Sequence, residues 1–600
     1  MRDDAKNQWR GAGAAPPSLK RTDAWGWART SAVLGPLAGL AALALCWRAW
    51  PGAPAPRWSL GEALACGASG ALQLAAADAL SATARACSAA WAGLPFPDRA
   101  GMGARAALSG LAACAPAAIL WTSFMTPRDA MIFTRGSAKH GPESAAAALR
   151  SKIGARAKRE PDHEIAPGVP YPSGKWAEHV WIVGGTGSGK STCLRPMLEK
   201  ALASGEQALV FDPKGEFTES FAGPILLAPW DARSFAWDIG RDMRNVGDMR
   251  RFAESTIEGG GTDPMWANAS RMVLTGLLSC LRDTRGEDWG FSELADLIAS
   301  PQKTMARIME IHHPEAARLI EKPTVTSHGI LTNLASASAP IFDLARAWGE
   351  HSPERRVSMV EWALGRGPAK QIIMQGNAAY GPLTRAFARP CVEIVSSLVA
   401  SAEMDEDRLG RKWFICDELP ALGRVDFRLI VEQGRSRGYR CVLACQDFAQ
   451  IEDIYGEKAA RALTSMAGTV IVGRVGPGES AERLAKFLGA REAERPNVSV
   501  NSGAGGSSSS SFALERAQLY MPSELGSRLG VTEDGRGVVL ALATEGEAYE
   551  LFWPFHPIPK IRPKLVPAEW TKGGPRRVST RSELGFGHGE DGLPSGDAAG

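Results

Sequence analysis

One stretch limits what this chain can fold into more than any other: Trp181-Ile-Val-Gly-Gly-Thr-Gly-Ser-Gly-Lys-Ser-Thr192. Gly184, Gly185, Thr186, Gly187, Ser188, Gly189, Lys190, Ser191 and Thr192 spell G-x-x-x-x-G-K-[ST] with one residue to spare. The apolar run before it reads as a buried strand, and residues 191–202 after it read as a helix. That strand–loop–helix context is what the motif requires. Glycines let backbone N–H groups turn inward around a β-phosphate, and the helix N-terminus adds the positive end of its dipole. Lys190 is placed to reach β/γ oxygens, and the Ser191 hydroxyl to ligate Mg²⁺. The expectation is an ATP and Mg²⁺ site on an α/β fold.

A phosphate loop alone hydrolyses nothing; it needs a carboxylate for magnesium and a group to orient water. The run Trp413-Phe-Ile-Cys-Asp-Glu418 supplies both, an apolar strand ending in two acids. Asp417 would hold Mg²⁺ through water, and Glu418 would polarise the attacking water. Further on, Arg435 and Arg437 precede a second apolar strand that ends at Cys445, with Gln446 next. A glutamine at that tip can sense a γ-phosphate. An arginine presented across a subunit boundary can stabilise transition-state charge, an effect worth roughly 10³–10⁵ in rate. Spacing alone does not separate such a finger from a solvated arginine pair.

Hydrophobic residues at 45% and charged residues at 22% of 600 leave ample material for a core, and a net charge of +3 announces no nucleic-acid partner by itself. Ten cysteines lack CxxC pairs or histidines at metal spacing, so neither a zinc site nor a disulfide scaffold is indicated. From about residue 165 short apolar runs recur at 208–211, 225–227, 371–374, 413–416, 441–445 and 469–472, as a parallel sheet buried on both faces requires. Helices between them give a doubly wound α/β core. Between 238 and about 340 only helical patterns appear (246–258, 264–282, 291–298, 302–311, 314–320), which reads as an all-helical insertion. Residues 501–511, rich in Ser and Gly, read as a flexible loop. Strands return at 537–543 and 548–553, and the Gly/Ser/Pro-rich tail reads as disordered.

The N-terminal quarter is different. Residues 30–47 and 106–127 are uncharged runs of 18 and 22 residues, long enough to cross ~30 Å of hydrocarbon. A cleaved signal peptide fits the first run poorly, because its polar lead is too long. Residues 128–160 hold eight Lys/Arg against three acids, and the stretch before the first run is also basic. Both flanks therefore belong in the cytoplasm, with 48–105 outside. Cys66 and Cys87 share that outer segment, where an oxidising compartment permits a bridge between them.

These residues carry a resemblance. The block Cys416-Asp-Glu-Leu-Pro-Ala-Leu-Gly-Arg424, then Glu432-Gln-Gly-Arg-Ser-Arg-Gly438, then Ala444-Cys-Gln-Asp-Phe-Ala-Gln-Ile451 with Tyr455-Gly456, resembles the coupling proteins of bacterial conjugation and type IV secretion. Phe211-Asp-Pro-Lys-Gly-Glu216, Gly136-Ser-Ala138 and Asp263-Pro-Met-Trp266 are similar to that family too. The resemblance implies a RecA-like P-loop ATPase core interrupted by an all-α domain and preceded by two transmembrane helices. The implied layout is a tail (1–29), a membrane domain (30–127), a basic linker (128–164), ATPase parts (165–240 and 341–565) around the all-α domain (241–340), and a last tail (566–600). It implies Lys190 and Ser191 as phosphate and magnesium contacts, Asp417 and Glu418 as the Walker B pair and Gln446 as sensor. Of the two arginines it puts Arg435 first as the trans residue. Asp212 and Lys214 would lie near the nucleotide with no step assigned.

The expected function is an inner-membrane hexameric ATPase, both termini cytoplasmic, that couples ATP hydrolysis to moving single-stranded DNA and its attached relaxase into a secretion channel. Contacts to DNA would be sequence-independent. The ring follows from the trans-arginine logic, since each site is completed by its neighbour. The rivals are a translocase for protein effectors only, a pump for double-stranded DNA, and a docking receptor that binds ATP without hydrolysing it.

Overall fold

The computed structural model describes residues 8–9, 24–48, 58–73, 81–124, 132–259, 264–407, 410–500 and 508–572. The chain divides into two units, residues 1–136 with 490–518 and residues 137–489 with 519–600.

The larger unit is organised by one sheet. Seven neighbouring strands run parallel in the order Ile225–Leu227, Gln371–Gln375, Gln207–Asp212, Lys412–Cys416, Tyr439–Cys445, Val180–Val183, Thr469–Val472. Gly537–Thr544 and Glu547–Pro554 extend it antiparallel, and Lys139–His140 pairs with the latter in parallel. All four side chains of Val180–Val183 are buried, as are all seven of Tyr439–Cys445. This is why the runs are apolar without alternation: helices cover both faces. Helix Lys190–Ala203 buries Leu194, Met197, Leu198 and Ala201, and Gly381–Val399 buries Phe387, Val392, Ile394 and Val395. Each strand expected in the core is found within two residues of its expected ends.

The helical stretch comprises Ile239–Asp242, Val246–Thr256, Pro264–Arg285, Phe291–Ile298, Gln302–His312, Pro314–Ile320, Val325–Ala337 and Ala339–Trp348. The first and the last two lie outside the five helical patterns that the sequence shows. In Val325–Ala337 the polar Thr326, Ser327, His328, Thr332 and Asn333 mask a helix that Thr324 caps by accepting from Ser327 N. The entry and exit of this stretch are tied together: Ala236–Trp237 pairs in parallel with Arg356–Val357. Beside that pair the buried Asp242 carboxylate accepts from Trp237 Nε1 (2.7 Å), Met359 N (2.8 Å) and the Ser358 hydroxyl.

Three expectations are corrected. The stretch read as a basic linker contains helix Ala145–Arg159, with Ala145, Leu149, Ile153 and Ala157 on one buried stripe at four-residue spacing. Its arginines and lysines had hidden that stripe. Part of the serine run is ordered: Ser508–Gln518 pairs antiparallel with Ala490–Val500, because main-chain hydrogen bonding makes no demand on the side chain. Residues 501–507 lie outside the described residues. The last segment begins packed, Val566 N donating to Asp231 Oδ2 (3.0 Å) and Trp570 Nε1 to Pro229 O (2.8 Å), and residues 573–600 lie outside the described residues.

The smaller unit pairs helix Ala24–Arg48 with helix Phe96–Phe124. Within them Trp27–Trp47 and Phe96–Trp121, mean hydropathy 1.7 and 1.4, are long and apolar enough to cross a membrane. Their Ala/Gly content has a packing reason. A Cβ at Gly35 would lie 2.8 Å from Ala113 O, and one at Gly39 3.0 Å from Ala113 Cβ, so glycine lets the backbones approach. Ser109 Oγ donates to Gly39 O at 2.8 Å across that contact. Leu37, Leu45, Leu111 and Ile119 point away from it, exposed. Helices Leu60–Gln73 and Ser81–Ala92 are joined by a Cys66–Cys87 disulfide, Cα–Cα 5.6 Å. Ile132–Gly136 stands between Gln8–Trp9 and the 490–518 hairpin in a four-stranded sheet.

Candidate active site

Strand Val180–Val183 delivers the glycine loop to the carboxyl edge of the sheet, where ligands bind in open α/β folds. Gly187 and Gly189 have φ of +72° and +97°, the left-handed region that favours glycine. At Gly189 a Cβ would also meet the Val538 side chain at 2.8 Å, whereas at Gly187 nothing lies within 4 Å, so that side of the loop opens on the cleft. Lys190 Nζ donates to Gly184 O at 2.5 Å. Burial lowers the Lys190 pKa, against the opposing pull of Glu418 and Asp417. The Ser188 hydroxyl is buried with no hydrogen-bond partner among the described residues.

Strand Lys412–Cys416 ends at the same edge, separated from the loop's strand by Tyr439–Cys445. Asp417 and Glu418 therefore stand across from the loop, with Gln446 on the strand between. Gln446 Nε2 donates to Glu418 Oε2 at 3.4 Å. Burial pushes Asp417 up to about 6; Lys214 opposes this, while Asp212, Glu216 and Glu418 add to it. Glu418 is raised by burial too, with Lys190 and Gln446 pulling it back. Gly185 through Thr192, Lys214, Asp417, Glu418 and Gln446 line one cleft of about 320 Å³.

The residues present fit a nucleotide with magnesium. Burial leaves the adjacent Asp417 and Glu418 carboxyls raised despite Lys190 and Lys214, the buried Ser188 hydroxyl has no hydrogen-bond partner among the described residues, and the loop's open face lies at Gly187. Among the described residues no group of three or more His, Cys, Asp or Glu could hold a metal alone. Mg²⁺ asks for less, one or two protein oxygens with water and phosphate completing its shell. Ser191 and Asp417, which both line the cleft, carry oxygens of the kind such a site uses.

The same cleft has a wall the sequence did not reveal: Val531, Val538 and Phe555. They come from the antiparallel extension, more than 300 residues beyond the loop, and no local signal marks them. Asp212 has a structural task. Its carboxylate accepts from Glu216 N (3.0 Å), Thr218 N (2.7 Å) and Thr218 Oγ1 (2.9 Å), holding the start of helix Glu216–Ser220.

Arg435 is not in this cleft. It sits in the turn Gly434–Arg437, before strand Tyr439–Cys445, at the opposite end of that strand from Gln446. Seven strand residues put it roughly 20 Å away. Its side chain is 60% exposed, with Nη1 3.9 Å from Glu178 Oε1. Arg437 differs: its Nη1 donates to Met404 O, so it is committed within the chain.

Sheet order, glycine loop and paired carboxylates define a RecA-like P-loop ATPase core. Residues 163–539 match the family described as the type IV secretion-system coupling protein DNA-binding domain, and the chain belongs to that family. It is similar to the coupling protein TraD of Escherichia coli (strain K12), 28% identical over 408 residues, 65% of this chain and 54% of TraD. The chain thus spans about half the length of that relative. Among solved structures it resembles the bacterial conjugative coupling protein TrwBdeltaN70 in its unbound monoclinic form (TM-score 0.59, 22% identical, covering 72% of this chain and 96% of that one). It also resembles the plasmid coupling protein TrwB in complex with ADP and Mg²⁺ (TM-score 0.57, 21% identical, covering 72% and 96%). At these identities the likeness to the solved structures is one of fold.

Proposed function

We propose that the chain is a membrane-anchored motor that couples ATP hydrolysis to transfer of single-stranded DNA, with its attached relaxase, into a type IV secretion channel. The observation that carries the reading is the convergence of Lys190, Ser191, Asp417, Glu418 and Gln446 on one cleft. A receptor that only held ATP would need no water-orienting carboxylate. Family membership and the TrwB complex with ADP and Mg²⁺ support the ligand assignment. The two long apolar helices support the anchor, and the basic residues on both flanks support cytoplasmic termini.

In this reading Lys190 leaves Gly184 O for the β/γ-phosphate oxygens, and the backbone of 185–189 cradles the β-phosphate. Ser191 and Asp417 would hold Mg²⁺, which would supply positive charge against the charge developing on the phosphates. Glu418 orients the attacking water and takes its proton; burial raises its pKa toward the operating pH, which suits a base. Gln446 holds the Glu418 carboxylate and registers whether the γ-phosphate is present. Val531, Val538 and Phe555 offer apolar surface for the base. Arg435, exposed at the far end of its strand, completes the site of a neighbouring subunit in a hexameric ring.

The test is steady-state hydrolysis by the purified full chain, with and without single-stranded DNA, across protein concentration. Stimulation by DNA, with activity per chain rising with concentration, is expected. Tight ATP binding without hydrolysis under all these conditions would leave a docking receptor, and DNA-indifferent hydrolysis a translocase for protein.

A further inference from the structure

We propose that His179 is a positioning residue for the trans arginine: its ring brackets the segment 431–441 and fixes where Arg435 is presented. The proposal rests on the reading of Arg435 given above. His179 immediately precedes strand Val180–Val183, whose far end carries the glycine loop. Its backbone has φ +64°, one of two non-glycine residues with positive φ among the described residues. A residue held in that region persists only where its surroundings over-determine it.

The surroundings are specific. The ring is buried, 2% exposed. Nδ1 accepts from Cys441 N at 3.1 Å, so Nε2 carries the proton and donates to Val431 O at 3.0 Å. Burial lowers the imidazole pKa to about 4, so the ring is neutral and this tautomer persists near pH 7. Val431 lies in helix Arg428–Gln433 and Cys441 in strand Tyr439–Cys445; the arginine turn lies between them. One imidazole thus holds both the departure and the return of that turn. Its neighbour Glu178 faces the turn's charge: Oε1 is 3.9 Å from both Arg435 Nη1 and Arg156 Nη2, while Oε2 is 2.8 Å from Lys175 Nζ. A residue that merely ended the ladder beside the Val180–Val442 pair would need neither a left-handed backbone nor two hydrogen bonds flanking Arg435.

Subunit mixing tests this with the full chain. His179→Ala subunits keep their own nucleotide cleft but present Arg435 poorly; Lys190→Ala subunits lose the cleft but present Arg435 normally. Pure His179→Ala protein is expected to lose about 10- to 100-fold in kcat, the scale of a misplacement near 1 Å, with ATP affinity within about 2-fold. Adding Lys190→Ala subunits should restore hydrolysis well above the sum of the separate proteins. Arg435→Ala mixed with Lys190→Ala tests the underlying reading. Recovery there without recovery for His179→Ala overturns the positioning role and leaves the trans arginine standing. Recovery in neither mixture removes the trans arginine, and the positioning role with it. His179→Asn tolerates the left-handed backbone and keeps one donor and one acceptor. It carries the same test if His179→Ala does not fold, and it should retain more kcat than alanine. Equal loss in both variants, with weakened ATP binding, would also overturn the proposal.

Discussion

Glu206 lies just before strand Gln207–Asp212, with its side chain 8% exposed. Three donors converge on it: His163 Nε2 (2.9 Å), Arg411 Nη1 (2.8 Å) and Trp413 Nε1 (2.6 Å). Burial alone would raise this carboxyl, yet the three hydrogen bonds hold it down to about 2 from an ordinary 4.5. At 1.36 kcal/mol per unit, that difference corresponds to about 3 kcal/mol of stability at neutral pH. The folded pKa is depressed, so the contribution is present above 4.5 and is lost as pH falls toward 2. Glu206→Gln keeps the shape, removes the charge and leaves a donor unpaired. For a unit of roughly 400 residues, an unfolding entropy near 2.1 cal/mol/K per residue converts this into a Tm lower by about 3–4 °C. Thermal unfolding of both full chains at pH 7 measures it directly. The gap should narrow to less than about half by pH 3. A shift under about 1 °C at pH 7, or a gap unchanged at low pH, would refute the account of the hub.

The site yields three more predictions. Glu418→Gln should leave ATP affinity intact while kcat falls at least about 100-fold, in single-turnover hydrolysis; loss of affinity instead would make the carboxylate a binding group. Gly189→Ala combines a φ of +97° with a Cβ 2.8 Å from Val538, so nucleotide binding by calorimetry should fall by about 10-fold or more. Val538→Ala in the same chain should recover part of that loss by removing the clash. Phe555→Ala should raise KM for ATP about 3- to 10-fold with kcat unchanged, the mark of uniform binding; a kcat effect would place Phe555 in the reaction.

The parts of the fold set by local chemistry were legible. The parallel strands showed as apolar runs because both faces are covered, and Gly184 to Thr192 showed as a motif because phosphate binding needs small residues at fixed spacing. Asp417, Glu418 and Gln446 were readable for the same reason: each stands where an apolar strand ends, and the sheet order brings those ends together. The Val531–Val538–Phe555 wall was illegible because only tertiary pairing brings it to the loop. Helix Ala145–Arg159 was missed because charge on its outer faces outweighed a stripe of two alanines, a leucine and an isoleucine. His179 gave no sign of its environment, since left-handed backbone in a non-glycine residue has no sequence signature.

The hairpin of Ala490–Val500 and Ser508–Gln518 belongs to the same sheet as Ile132–Gly136, although the chain on either side of it belongs to the other unit. The polypeptide therefore crosses between the units three times, near residues 136, 489 and 518. Trimming away everything before the ATPase core to obtain a soluble fragment would strip Ile132–Gly136 from the hairpin while leaving the hairpin attached. Residues 491–494 would then carry a row of unpaired main-chain groups, a template for joining another chain edge to edge. Deleting 490–518 together with the N-terminal segment, and rejoining 489 to 519, removes that edge. Leu519 N already donates to Gly489 O at 3.0 Å, so the two ends meet without a linker.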